Sequence, residues 1–206
     1  ETDSVEEVVS IYDDALAHLS DERRIIDTHL RMAELAWKNL SSPPDAELHY
    51  KRALEYEATN KGALDGMVAL YESQGKWREV VNVFERRVEQ SNDIAPRIEM
   101  LRRVARTLDD KAKDVDGAIN AYKRILELDG KDGGALRDLA DILEREQRWQ
   151  QLVNILKRHE EGAQSREDKL AIRYRVGGLW EQELDNPEQA IAVYRSILDE
   201  EPGHLV

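Results

Sequence analysis

The sequence predicts an all-α fold, about eleven antiparallel helices stacked in series as an α-solenoid running through residues 1–206. Three observations predict it. The composition is rich in Ala, Leu, Glu and Arg, with 35% charged residues and only 6% aromatic, a mix typical of helices rather than sandwiches or barrels. The chain also repeats itself with a 72-residue period: "GKWREVVNVFERR", Gly75 to Arg87, returns as "QRWQQLVNILKRH", Gln147 to His159. Within each copy the apolar residues fall at i, i+3, i+4 and i+7, as at Leu64, Met67, Val68 and Tyr71 and again at Leu136, Leu139, Ala140 and Leu143, which makes one stripe per helix.

A shift of one period aligns Trp77 with Trp149, Val80 with Leu152, Asn82 with Asn154, Val83 with Ile155 and Phe84 with Leu156. It also aligns the segment from Ala46 to Leu64 with that from Ala118 to Leu136, and "AIAVYRSILDEEPGH" from Ala190 onward with the first part of the latter. Repetition on this scale means stacked units, because an isolated helical hairpin cannot bury its apolar faces and stacked copies bury each other's. The first apolar positions of the recurring motif, at Val8, Ala46, Val80, Ala118, Leu152 and Ala190, are separated by 38-residue and 34-residue steps in alternation, beginning and ending on the longer. A 34-residue step is one helix-turn-helix repeat, and the longer step adds about one α-helical turn of 3.6 residues, which lengthens a helix without rotating its buried face.

The elements follow in order. Residues 1–21 hold a second helix without its first, and helical hairpins follow at 22–60, 61–93, 94–132, 133–165 and 166–204. Helix starts are signalled by Ser42 before Pro43, by Asn186 before Pro187, and by Ser165 with Asp168 three residues on. Trp77 and Trp149 are expected to pack between units, where each ring would remove roughly 150 to 250 Å² from water. The ends predict a piece cut from a longer array. The chain opens on a second helix with Glu1 rather than Met, and its last residue, Val206, corresponds to Gly62 and Gly134, where a first helix begins.

The stretch "ALDGMVALYESQGKWREVVNVFERRVE" resembles the tetratricopeptide repeat family. The resemblance lies in Leu64, Tyr71, Gly75 at the inter-helix turn, Trp77 and Phe84, and "DNPEQAIAVYRSILDEEPGH" adds Ala190, Tyr194 and the closing Pro202. Departures are Gln147 in place of Gly75, the single closing proline and the 38-residue steps, which put local curvature in question more than the fold. The resemblance implies a right-handed α-α superhelix. It further implies a non-catalytic interaction module whose first helices line a concave groove for a partner protein or peptide.

Several functions are excluded or disfavoured by composition. A net charge of −13 disfavours nucleic acid, whose phosphates are neutralised by clustered Lys and Arg. No apolar run reaches the roughly 18 residues of a membrane span, so the segment is expected to be soluble, with the cytoplasm slightly favoured and the compartment otherwise open. There is no cysteine, hence no disulfide or thiolate metal site. His18, His29, His49, His159 and His204 show no i, i+4 pair that would place two ligands on one helix face, and His49 stands where the repeat elsewhere has Ala121 and Val193, so partial burial is its expected role. The run from Asp129 to Gly134 lacks the ligand spacing of a calcium loop and reads as a turn between helices. No phosphate loop and no nucleophile motif is present, so neither an enzyme nor a cofactor is expected.

Carried over by position from the resemblance, the groove side comprises Arg31, Lys38, Asp65, Ala69, Glu72, Arg102, Arg106, Arg137, Asp141, Glu144 and Tyr174. First helices of the long steps are basic, with Arg97, Arg102, Arg103 and Arg106, then Lys169, Arg173 and Arg175; those of the short steps carry Asp65 and Glu72, then Asp138, Asp141 and Glu144. Such striping suits a partner of mixed charge, while ordinary solvated faces and local ion pairs explain the same residues. The family's clamp for a terminal carboxylate is not expected, since Asp65 and Gly66, then Arg137 and Asp138, occupy its region. The alternative function is a structural spacer or assembly arm, with self-association through uncapped repeat ends.

Overall fold

The computed structural model describes residues 2–201, and side chains from residue 7 onward. Pro202, His204 and Val206, singled out above, lie outside the described residues. Eleven α-helices and no strand occur among the described residues: α1 (Thr2–Leu16), α2 (Glu22–Lys38), α3 (Pro43–Tyr56), α4 (Lys61–Ser73), α5 (Trp77–Gln90), α6 (Ile94–Arg106), α7 (Val115–Leu128), α8 (Gly133–Arg145), α9 (Trp149–Gly162), α10 (Arg166–Gln182) and α11 (Pro187–Glu200). A π-helical segment, Thr107–Ala112, continues α6.

The alternation of steps resides in the first helices. Each of the second helices α3, α5, α7, α9 and α11 has 14 residues. The first helices α4 and α8 have 13, whereas α2 and α10 have 17 and α6 extends its own 13 by the six π-helical residues. The surplus in α2 and α10 is one helical turn.

The turns repeat more faithfully than the residues in them. Ser41, Gly75, Lys113, Gln147 and Asp185 all have left-handed backbone, φ between 45° and 66°, and they follow the same alternation of short and long steps. In the short-step hairpins the left-handed residue closes a Schellman motif. Gly75 N–H donates to Glu72 O at 3.1 Å and Lys76 N–H to Tyr71 O at 2.9 Å, matched by Gln147 to Glu144 at 3.0 Å and Arg148 to Leu143 at 2.8 Å. Replacing Gly75 by Gln147 therefore leaves the turn intact. The long-step turns close one residue wider, through 2.8 Å bonds from the N–H groups of Ser42, Asp114 and Asn186 to the carbonyls of Ala36, Leu108 and Trp180.

Caps hold the helix starts. Ser165 Oγ accepts from Asp168 N–H at 2.9 Å and Asn186 Oδ1 from Gln189 N–H at 3.2 Å, while Ser42 donates its hydroxyl to Asp45 at 2.6 Å instead of capping the backbone. The stretch from Asp129 to Gly134 is a turn, with Asp129 closing α7 and Asp132 accepting from Ala135 N–H at 2.7 Å.

The helices form two compact units, divided inside α6. In the first, Ala46 and Val80 are fully buried and Leu64, Met67, Val68 and Tyr71 line α4's inward face. In the second, Ala118 and Leu152 are fully buried together with Leu136, Leu139 and Leu143 of α8. Burial of each such leucine is worth about 1.5–3 kcal/mol. The tryptophans depart from expectation: Trp77 and Trp149 are only half-buried. They occupy the first positions of α5 and α9 beside the tight turns, and the Lys111 ammonium lies 5.6 Å from the centre of the Trp77 ring. The fully buried aliphatic positions carry the core.

Candidate partner-binding surface

The expected groove residues fall into paired and unpaired sets. In the first unit, Lys38 on α2 lies 3.6 Å from Glu34, Asp65 on α4 lies 2.5 Å from Arg87 of α5, Ala69 and Arg102 are half-buried, and Arg31 and Glu72 are exposed. In the second unit, Arg106 lies 3.5 Å from Asp138, which also accepts the Tyr122 hydroxyl at 3.0 Å. Burial, then the Asp138 charge, pushes the Tyr122 hydroxyl well above its ordinary pKa. Glu144 of α8 meets Arg175 of α10 at 2.8 Å, the Tyr174 ring lies 6.3 Å from that of Tyr194, and Arg137 and Asp141 are exposed.

Opposite charges on neighbouring helices thus neutralise one another in several places. Exposed pairs of this kind contribute about 0–1 kcal/mol each, so they set local charge more than stability. Among the described residues, Arg31, Glu72, Arg137 and Asp141 form no ion pair.

A surface recess recurs with the repeat. One of about 300 Å³ is lined by Thr59, Lys61, Leu64, Arg87, Gln90 and Ser91. Each of these positions falls one period before a residue lining a second recess of about 400 Å³, namely Lys131, Gly133, Leu136, His159, Gly162 and Ala163; Arg137 and Asp168 also line the latter. A third, of about 350 Å³, lies between α1 and α2, where Ala15, Leu19, Arg24, Asp27 and Thr28 precede by two periods His159, Ala163, Asp168, Ala171 and Ile172. The recess is a product of the repeat geometry, and its side chains vary from copy to copy. Lys131 and His159 were not among the expected surface residues. The internal alignment carries the signal for them, because it sets Arg137 opposite Asp65 and His159 opposite Arg87.

Two histidines that show no sequence pairing meet across the first hairpin. His29 Nδ1 of α2 lies 3.2 Å from His49 Nδ1 of α3, with ring centres 5.5 Å apart. His29 is buried and His49 half-buried, in agreement with the partial burial expected for His49. One period on, the same positions hold Leu101 and Ala121, so the imidazoles take places that are apolar in the next copy. Burial first, and the charge of His49 next, lowers the His29 pKa; burial lowers that of His49. No group of three or more metal-ligating side chains occurs among the described residues, and no described helix is long and apolar enough to cross a membrane.

Tandem helical hairpins in a fixed register, with varied charge laid over a constant frame, define a helical-repeat protein. Residues 63–96 and 135–170 match the tetratricopeptide repeat model, the second match starting one period after the first. This fold is in general a scaffold for protein interaction, and proteins of the family are generally non-catalytic. No curated protein matches the chain in sequence. Among solved structures, YrrB, a TPR protein with an unusual peptide-binding site, is similar at 18% identity over 94% of this chain and 93% of its own, with a TM-score of 0.46. A MamA protein is similar at 13% identity over 90% and 94%, with a TM-score of 0.48. PilF of Pseudomonas aeruginosa is similar at 16% identity over 97% and 95%, with a TM-score of 0.41.

Proposed function

We propose that the chain is a non-catalytic interaction module that holds a partner protein or peptide of mixed charge along its first helices. The observation that carries this reading is the set of exposed, unpaired charges of both signs on those helices: Arg31 and Glu72 in the first unit, Arg137 and Asp141 in the second. Charges already bonded to a neighbouring helix, such as Asp65 and Glu144, contribute less to a partner because binding must first break or share an existing pair. Affinity capture from native lysate tests the reading, with the chain beside a Glu72→Lys, Asp141→Lys variant shown to be folded by circular dichroism. A protein retained by the first and lost by the second supports it. Identical capture by both, or none by either, overturns it.

One observation favours a second reading, an assembly arm. Ile191 and Leu198 on α11 are 48% and 41% exposed, whereas Ile119 and Leu126, one period earlier, are each 4% exposed. An apolar face of that kind associates with a second copy or with another part of a larger assembly. Sedimentation velocity of the chain beside an Ile191→Glu, Leu198→Glu variant decides this reading. A concentration-dependent oligomer lost in the variant supports it, and a monomer at all concentrations removes self-association.

A further inference from the structure

We propose that His29 and His49 form a two-histidine site for a divalent transition metal ion of the zinc class, held between α2 and α3. This goes beyond the interaction reading and does not depend on it.

The geometry carries the argument. Two imidazole nitrogens bound to one tetrahedral zinc at about 2.0–2.1 Å stand about 3.3–3.4 Å from each other, with their ring centres about 5.2 Å apart. His29 Nδ1 and His49 Nδ1 are 3.2 Å apart, and their ring centres 5.5 Å apart. The two helices therefore already hold both imidazoles at the separation of two ligands to one ion. The nitrogens now face each other in a hydrogen bond, so seating an ion asks each ring to turn about its own centre while α2 and α3 stay in place. The ring that donates from Nδ1 moves that proton to Nε2, which gives the ion both Nδ1 lone pairs with no net release of a proton.

Packing alone does not call for histidine at these positions. One period on they hold Leu101 and Ala121, both buried, and two periods on Arg173 and Val193. At this register only the first hairpin sets two ligating side chains opposite each other. Burying polar rings where aliphatic side chains serve costs stability unless the polar atoms find partners, and one ion partners both.

The surrounding charge suits a divalent cation. Asp13 of α1 acts on both imidazoles, Glu55 on His29 and Asp45 on His49; Arg52, the guanidinium that acts on His29, lies 2.9 Å from Glu55. Three carboxylates against one guanidinium leave a charge of −2, equal and opposite to that of the ion. None of the carboxylates joins the histidines as a third direct ligand among the described residues, so water completes the tetrahedron. A carboxylate that accepts from such a water, or from the outer N–H of a ligating imidazole, strengthens a site of this kind. His29 is buried and His49 half-buried, which leaves the His49 side as the way in. Imidazole nitrogen selects zinc, copper or nickel over magnesium and calcium, which take oxygen ligands.

The test titrates zinc chloride into the 206-residue chain at about pH 7.5, where imidazole is neutral, with magnesium chloride in parallel. Binding is read by calorimetry and by proton–nitrogen correlation spectra of the histidine rings. The expected result is one zinc per chain, perturbing Nδ1 of His29 and of His49 but neither His18 nor His159, with no such response to magnesium. His49→Ala removes one ligand, and His29→Leu with His49→Ala copies Leu101 and Ala121, a pair the fold already accommodates. Both variants are expected to bind zinc about tenfold or more weakly, and zinc should raise the Tm of the parent chain but not of the double variant. Unchanged zinc affinity in the variants, a response confined to other histidines or to carboxylates, coordination through Nε2, an equal response to magnesium, or no zinc binding at millimolar concentration overturns the site. The ring spectra of the parent chain decide the matter even where a variant is poorly folded.

Discussion

The Tyr50 ring lies directly on the backbone of Gly66: a methyl group added at the Gly66 Cα would stand 2.3 Å from Tyr50 Cζ. Such a contact lets α3 and α4 approach closely, and it recurs in altered form. Tyr122, one period on, faces Asp138 and donates its hydroxyl to it at 3.0 Å. Tyr194 packs instead against Gly177, where an added methyl would stand 2.5 Å from Cε1, and donates to Glu181 at 3.0 Å.

Gly66→Ala is therefore expected to destabilise the first unit despite the better helix propensity of alanine. Propensity favours Ala over Gly by about 1 kcal/mol, but forcing a methyl into a filled site costs about 1–3 kcal/mol. The ring is buried and has little room to yield. Chemical denaturation should show a net loss of up to about 2 kcal/mol, recovered in part when Tyr50→Leu is added to remove the clash. Unchanged stability in Gly66→Ala would mean that the ring shifts freely.

Gln147 and Gly75 hold the same left-handed turn, at φ 55° and 66°, so exchanging their residue types should move stability in opposite directions. A non-glycine residue in this region carries a penalty of roughly 1–2 kcal/mol, while glycine loses about 0.4–1 kcal/mol through its freer unfolded chain. Gln147→Gly is expected to gain about 0.5 kcal/mol and Gly75→Ala to lose about 1 kcal/mol. Thermal unfolding of the two variants beside the parent chain measures both. A loss in Gln147→Gly would show that the glutamine side chain contributes to the turn beyond its backbone.

The His29–His49 contact predicts a pH dependence with a definite sign. One ring must donate from Nδ1 and the other accept, so the 3.2 Å bond fails when both carry a proton there. Both folded pKa values lie below the ordinary 6.5, chiefly through burial, so the unfolded chain takes up protons first as the pH falls. Stability from this pair is complete above the unfolded pKa. It declines as the pH drops through 6.5 toward the lower folded values. Hydrogen exchange between pH 7 and about 5 should show α2 and α3 losing protection first. His29→Leu with His49→Ala, which copies Leu101 and Ala121, should flatten that dependence; an unchanged slope would assign it to carboxylates elsewhere.

The repeat was legible in the sequence because burial leaves its mark on residue type. Ala46, Val80, Ala118, Leu152 and Ala190 had to be apolar at fixed intervals and are buried, whereas Val8, the first position of that series, is 39% exposed. The extra turn in α2 and α10 was legible for a similar reason, since a helix can gain whole turns and keep its inward face. Turn chemistry was only partly visible. Gly75 announces a left-handed residue, whereas Gln147, Lys113, Ser41 and Asp185 adopt the same backbone without announcing it, because the hydrogen bonds and packing around the turn outweigh a penalty of roughly 1–2 kcal/mol.

By itself, then, the sequence determined the helical class, the number and period of the helices and the absence of a recognisable catalytic motif, all properties written locally along one chain. Only the tertiary structure decided which charges are spent on each other. Whether Asp65 meets Arg87 and whether Glu144 meets Arg175 depend on distances between separate helices. The same holds for the meeting of His29 with His49 and for the half-burial of Trp77 and Trp149. Periodicity fixes which face of a helix points inward, but Coulomb energy and solvent exposure depend on separation in space, which a single helix does not contain.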